Sequence, residues 1–243
     1  MSRQNNPNLR LEGDTGESCD SLEVPPSHNS CRVAGEEPVG QGQTANHEHA
    51  WLSSSSSNFQ EGSNHPSTLS EAVIQKAITG SLAYLRAERE RFWQQGRHLN
   101  DNSKASLGRY FSRELLEKAR AVALIGCRLA NPPAFSQARS LGIANLPDLA
   151  HQSSVSFLDV VVFNEPMTDR QVFHSLVHVA QVHVLGARLF TELFVRGVVR
   201  MRSYPLAPMK AQAFELDTRF ASKPDSGFSV EAEIREWFNH GRY

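Results

Sequence analysis

Apolar positions in this chain recur with a helical period over much of the stretch beyond about residue 68. Val73, Ile74, Ala77, Ile78, Leu82 and Leu85 mark a first helix, entered through Thr68 and Glu71 at capping-box spacing. It turns charged over residues 86–91 and fades near Gly96. A second helix is predicted from Ser112 through Leu115, Leu116 and Ala119. Residues 121–125 read as a short strand broken by Gly126, and residues 135–141 as a short helix stopped by Gly142. Residues 155–163 are β-branched and aromatic, the pattern of one buried strand, and Asn164-Glu165-Pro166 breaks it. Thr168 and Gln171 form a further capping box. Behind them Val172, Phe173, Leu176, Val177, Ala180 and Val184 make one apolar face that ends at Gly186. Helices are expected over residues 187–201, interrupted by Gly197, and over 209–220. Ser229 caps a last helix through Ile234, Trp237 and Phe238. No internal repeat is present. The sum is an α+β domain, predominantly helical, with two or three short strands.

Composition separates this domain, residues 67–243, from what precedes it. Residues 1–66 carry 3 basic and 9 acidic side chains, the remainder 22 and 17. Only one of the 13 phenylalanines lies in the first 66 residues. A polar acidic segment of this kind buries too little apolar area to offset a chain entropy of about 1–2 kcal/mol per residue, so it is expected to be disordered. Within it, His47 and His49 flank Glu48 and read as part of a solvated polar stretch.

The formal net charge of -1 gives no basic footprint for a nucleic-acid partner. No apolar run reaches the roughly 18 residues of a membrane span, and the polar N-terminus has no signal-peptide core. Cys19, Cys31 and Cys127 are an odd number without zinc-ribbon or disulfide-framework spacing, so Cys127 reads as a packed small residue. The compartment expected on these grounds is the cytoplasm.

The one phrase with chemistry in it is His174-Ser175-Leu176-Val177-His178. Two histidines four apart on a helix project from one face and can reach one cation. Ten histidines in this chain produce such a pair by chance about 0.4 times, so spacing alone decides nothing; each is equally a hydrogen-bonded core or boundary residue. The context adds weight. The pair sits on a capped amphipathic helix directly after a buried strand, with a small-residue-rich helix about 30 residues later, the layout around a His-Glu-x-x-His zinc helix.

Residues 173–181, reading Phe-His-Ser-Leu-Val-His-Val-Ala-Gln and followed by Leu185-Gly186, resemble the corresponding helix of a group of small uncharacterised zincin-like proteins of the minigluzincin type. In that family the helix reads Phe-His-Glu-Leu-Val-His-Val-Val-Gln. The resemblance continues through Glu192 to Gly197, Ala213 to Asp217 and Phe228 to Glu231. Upstream it takes in Asn131-Pro132-Pro133 and Asn145-Leu146-Pro147-Asp148, so that it covers about residues 110–240. It implies a helix bearing two histidine ligands, here His174 and His178, and a glutamate from a later helix as third ligand.

Two departures outweigh the match. The family's general-base glutamate falls on Ser175, whose hydroxyl is no base near pH 7. Its third-ligand motif, Glu-x-x-Ala-aromatic, falls on residues 210–214, which puts Lys210 in the ligand position, and an ammonium repels a cation. Asp217, seven residues on, shares nearly the same helix face but is displaced by about 10 Å along the axis. Glu215 and His183 are each rotated away. Other features carry less. Ser153, Ser154 and His151 near Asp148 lack a nucleophile elbow, and Arg196, Arg200 and Arg202 read as an exposed basic edge.

Three readings follow. The first is a catalytically inactive zincin-type homologue acting as a binding or scaffold module for an unknown protein or peptide, with no cofactor. The second is an active zinc metallopeptidase with a non-standard third ligand such as Asp217. The third is a helical protein-interaction domain.

Overall fold

The computed structural model describes residues 32–33, 69–223 and 226–243. They belong to the compact unit Cys31–Tyr243. The segment expected to be disordered, residues 1–66, lies outside the described residues apart from Arg32–Val33, which form strand β1.

The domain is α+β and predominantly helical. Helix α1 (Glu71–Trp93) is followed by β2 (Arg97–His98), α2 (Asp101–Leu107), α3 (Arg113–Lys118), β3 (Arg120–Ile125) and α4 (Ala134–Ser140). After a short 3-10 turn (Leu149–His151) come β4 (Ser154–Phe157), β5 (Val160–Phe163), α5 (Asp169–Leu185), α6 (Ala187–Met201), α7 (Pro208–Ser222) and α8 (Val230–Asn239). No helix of the described residues is long and apolar enough to cross a membrane.

The sheet runs β1-β3-β5-β4, with β2 also on β3. Strands β3 and β5 pair in parallel, from Arg120 opposite Val160 to Ala123 opposite Phe163. The single strand expected over 155–163 is instead a tight antiparallel hairpin, with Ser154 opposite Phe163 and Phe157 opposite Val160. The break falls at Leu158-Asp159, where Leu158 takes a positive φ of 58° that a Leu side chain rarely adopts. An unbroken apolar run hides such a turn, because no Gly, Asn or Pro announces it.

Helices cover both faces of the sheet, and this explains why β5 is apolar at every position. Val160 and Val162 pack with Phe92, Val122, Leu149 and Phe157 on the α1 side. Val161 and Phe163 pack with Leu115, Phe173, Leu176, Val177 and Ile234 on the side of α5. Strand β4 divides its residues likewise. Phe157 stacks against Phe92 and meets Tyr84 edge-on, whereas Ser154 and Ser156 turn to α5.

Helix entries follow the expected chemistry with one correction. The Thr168–Gln171 capping box is present, and Ser112 and Ser229 cap α3 and α8. Helix α1 is capped by Ser70, not Thr68: the Ser70 Oγ accepts from the Val73 amide. Glu71 pairs with Arg196 of α6, which lowers the Glu71 carboxyl to about 2. Arg196 also bonds Glu192, so it ties helices together in addition to facing solvent. Gly197 does not interrupt α6. It lets α7 approach, since a Cβ there would lie 2.8 Å from Pro208 Cδ.

Cys127 corrects a second expectation, because it is disulfide-bonded. Its partner lies outside the described residues. A bridge across a long sequence separation leaves no spacing signature, since it depends on Cα and Cβ geometry that only the fold supplies.

Candidate functional site

A cavity of about 210 Å³ opens between α1, β4, α5, α6 and α7. Its floor is α5, which presents His174 and His178 one turn apart, with Ser175 beside His174. Strand β4 forms one wall, and Tyr84 and Leu85 of α1 another. Phe190 and Phe194 of α6 and Tyr204 of the α6–α7 connection complete the apolar lining. Lys210 and Phe214 enter from α7. The structure thus brings together His174, Ser175, His178 and Lys210, residues read from the sequence as one site.

The His178 tautomer follows from a buried relay. Gln181 is fully buried, and its Nε2 donates to the Met209 carbonyl at 2.9 Å and to Gln212 Oε1 at 2.9 Å. Its Oε1 therefore faces His178 Nδ1 at 2.8 Å, and an amide oxygen only accepts, so Nδ1 carries the proton. The lone pair is left on Nε2. That atom lies 3.3 Å from Lys210 Nζ and accepts from the ammonium. Burial, with the Lys210 charge second, depresses the His178 pKa to about 3. His174 is held well below the usual imidazole value by burial first, then by Lys210, His178 and Arg170. Both rings are neutral at pH 7. His174 stacks edge-on with His178 at 5.2 Å between centroids and tilts against Phe214 at 4.9 Å.

Ser175 is buried, and its Oγ lies 2.7 Å from Ser154 Oγ. Its carbonyl accepts from Ser156 Oγ at 3.1 Å. Ser175 thereby links α5 to β4.

Asp217 does not join the histidines. It is 2 % exposed, and both carboxylate oxygens accept from Arg170 at 2.8–3.1 Å, a forked pair between α5 and α7. Glu215 and His183 are exposed, and His183 lines a separate hollow with Arg89, Lys118 and Asp159. Among the described residues, no group of three or more His, Cys, Asp or Glu side chains converges to hold a metal ion. Two imidazoles and an ammonium do not fit a catalytic zinc, which takes three protein donors and a water. His151 pairs with Asp148 at 2.8 Å on the exposed 3-10 turn, while the Ser154 hydroxyl meets Ser175, so these residues form no hydrolytic triad.

Several residues of the site were not read from the sequence. Ser156, Tyr204 and the α1 wall carry no motif of their own. Gln181 closes the stretch 173–181 that carries the resemblance, but its part in holding His178 was not read from it. The chain matches no family model, no curated protein and no solved structure.

Proposed function

We propose that this chain is a metallopeptidase-like scaffold without hydrolytic chemistry, and that its cavity binds a segment of a protein or peptide. The observation that carries the reading is the 3.3 Å contact between Lys210 Nζ and His178 Nε2. The lone pair that a zinc ion would need is given to an ammonium carrying its own positive charge. The Ser154–Ser175 contact supports the same reading, since it puts a structural hydroxyl where hydrolysis needs a base. The forked Arg170–Asp217 pair weighs against an active enzyme with Asp217 as third ligand, because the carboxylate is already satisfied.

Zinc titration tests this. Wild-type protein is expected to take up no zinc at micromolar free metal. The double variant Ser175→Glu plus Lys210→Glu is expected to bind one equivalent, through His174, His178 and the new carboxylate at 210. Stoichiometric zinc in the wild type, lost in His174→Ala, would refute the reading. A folded double variant without zinc affinity would show that residue 210 does not occupy the ligand position.

A further inference from the structure

The first four residues of β3 pair with β5, and the last two do not. The β3–β5 register ends at Ala123 opposite Phe163, and β2 covers only Arg120 and Ala121. Leu124 and Ile125 lie beyond both. Among the described strands only β1 pairs with them, Val33 opposite Leu124 and Arg32 opposite Ile125. A two-residue ladder is far shorter than an ordinary strand of about 5–6 residues. The next described residue after Val33 is residue 69, and closing a stretch of that length costs chain entropy. The ladder by itself is a weak hold on β1.

A second tie lies beside it. Cys127, two residues past Ile125, is disulfide-bonded, and the other cysteines of the chain are Cys19 and Cys31. Bridged cysteines need Cα atoms about 4.4–6.8 Å apart. Cys31 adjoins Arg32, the residue opposite Ile125, so the register counted one step further sets position 31 against Gly126, next to Cys127. In an unbroken ladder such diagonal neighbours would point to opposite faces. Gly126 removes that obstacle: its φ of 69° ends the strand and releases Cys127 from the alternation. Cys31 also opens the compact unit that runs to Tyr243, whereas Cys19 precedes it.

We propose that Cys31 and Cys127 are joined, and that their disulfide is a redox-sensitive clasp that keeps β1 on the end of β3. A dithiol reductant opens the clasp. Its thiolate attacks one sulfur, and its second thiol resolves the mixed disulfide. Two electrons and two protons pass to the protein, giving two cysteine thiols, and the reductant leaves as a cyclic disulfide. With the bond open, Leu124 and Ile125 are left with the short ladder alone, and Ile125, already 52 % exposed, ends a weakly covered edge. The clasp is independent of the cavity and of the zinc titration.

Peptide mapping of the full, unreduced chain tests the pairing. Trypsin leaves Cys19 and Cys31 in one peptide, because no Lys or Arg lies between Leu11 and Cys31; a glutamate-specific protease separates them by cutting after Glu23. Mass spectrometry is expected to find the Cys31 peptide linked to the Cys127 peptide, with Cys19 as a thiol. A Cys19–Cys127 link, or three thiols, would overturn the proposal. Amide hydrogen exchange tests the clasp. Dithiothreitol, with reduction verified by three thiols, is expected to speed exchange at Leu124 and Ile125 about tenfold while residues 120–123 keep their rates. Cys31→Ser is expected to do the same without reductant, and Cys19→Ser to change nothing. Rates at 124–125 that reduction leaves unaltered would overturn the clasp. Equal acceleration along all of β3 would overturn it as well, since the bond would then stabilise the whole domain and not the strand end.

Discussion

Replacing Lys210 by Met removes the charge that lies 3.3 Å from His178 Nε2 and leaves the Gln181 contact on Nδ1 intact. With an effective dielectric of about 20, a full charge at that distance is worth about 5 kcal/mol, or over three pKa units. That exceeds what the site allows. The whole depression of His178 runs from 6.5 to about 3, and burial is its larger cause. Lys210 therefore accounts for less than half, and the open cavity screens the rest of its field. The expected rise in Lys210→Met is between about one and two units for His178, with a smaller rise for His174, where Lys210 is also the second cause. Titration of the imidazole resonances by heteronuclear NMR measures both. The nitrogen shifts also report whether Nδ1 holds the proton in the wild type. A His178 pKa that is the same in both proteins would refute the placement of Lys210 as its charged neighbour. A wild-type His178 that titrates near 6.5 would refute the half-buried, neutral imidazole altogether.

Four further outcomes are expected. Because both histidines bind protons more weakly folded than unfolded, their contribution to stability is complete above pH 6.5 and is lost as pH falls through their folded values, about 3 for His178. At about 1.4 kcal/mol per unit, denaturant melts between pH 7 and pH 4 are expected to lose a few kcal/mol, and His178→Gln to flatten the loss; equal slopes in the two proteins would count against it. Arg170→Met strands the buried Asp217 carboxylate and is expected to cost about 2–4 kcal/mol; a loss under the ordinary surface range would contradict the forked pair. Gly197→Ala gains helix propensity but drives a Cβ to 2.8 Å from the Pro208 ring, so a net loss of about 1–2 kcal/mol is expected in thermal melts; a gain would show that α6 and α7 lie further apart. Thiol counting of denatured, unreduced protein is expected to find one free cysteine of the three; three free thiols would remove the Cys127 bridge and favour the reducing cytoplasm expected from composition.

The sequence alone specified what depends on nearest neighbours along the chain. The Thr168–Gln171 box, the apolar face of α5 and its stop at Gly186 are local chemistry, and the helix formed where that chemistry placed it. The same holds for the i, i+4 projection of His174 and His178 from one face, since 3.6 residues per turn leaves no alternative. The class of fold followed from counting such elements. Other features depended on partners distant in sequence. The run 155–163 is apolar whether it is one strand or two, and only packing on both faces of a hairpin chose two. Helix α1 begins at the Ser70 cap, and its Glu71 finds a partner in Arg196, 125 residues away. Asp217 was a candidate donor until α5 brought Arg170 to it. The chemistry of the cavity was settled the same way. Serine at 175 and lysine at 210 are legible as letters, but that one hydroxyl bridges to β4 and that the ammonium takes the lone pair of His178 are facts of three-dimensional contact. A side chain's role depends on which donor or acceptor reaches it first, and only the folded chain decides that.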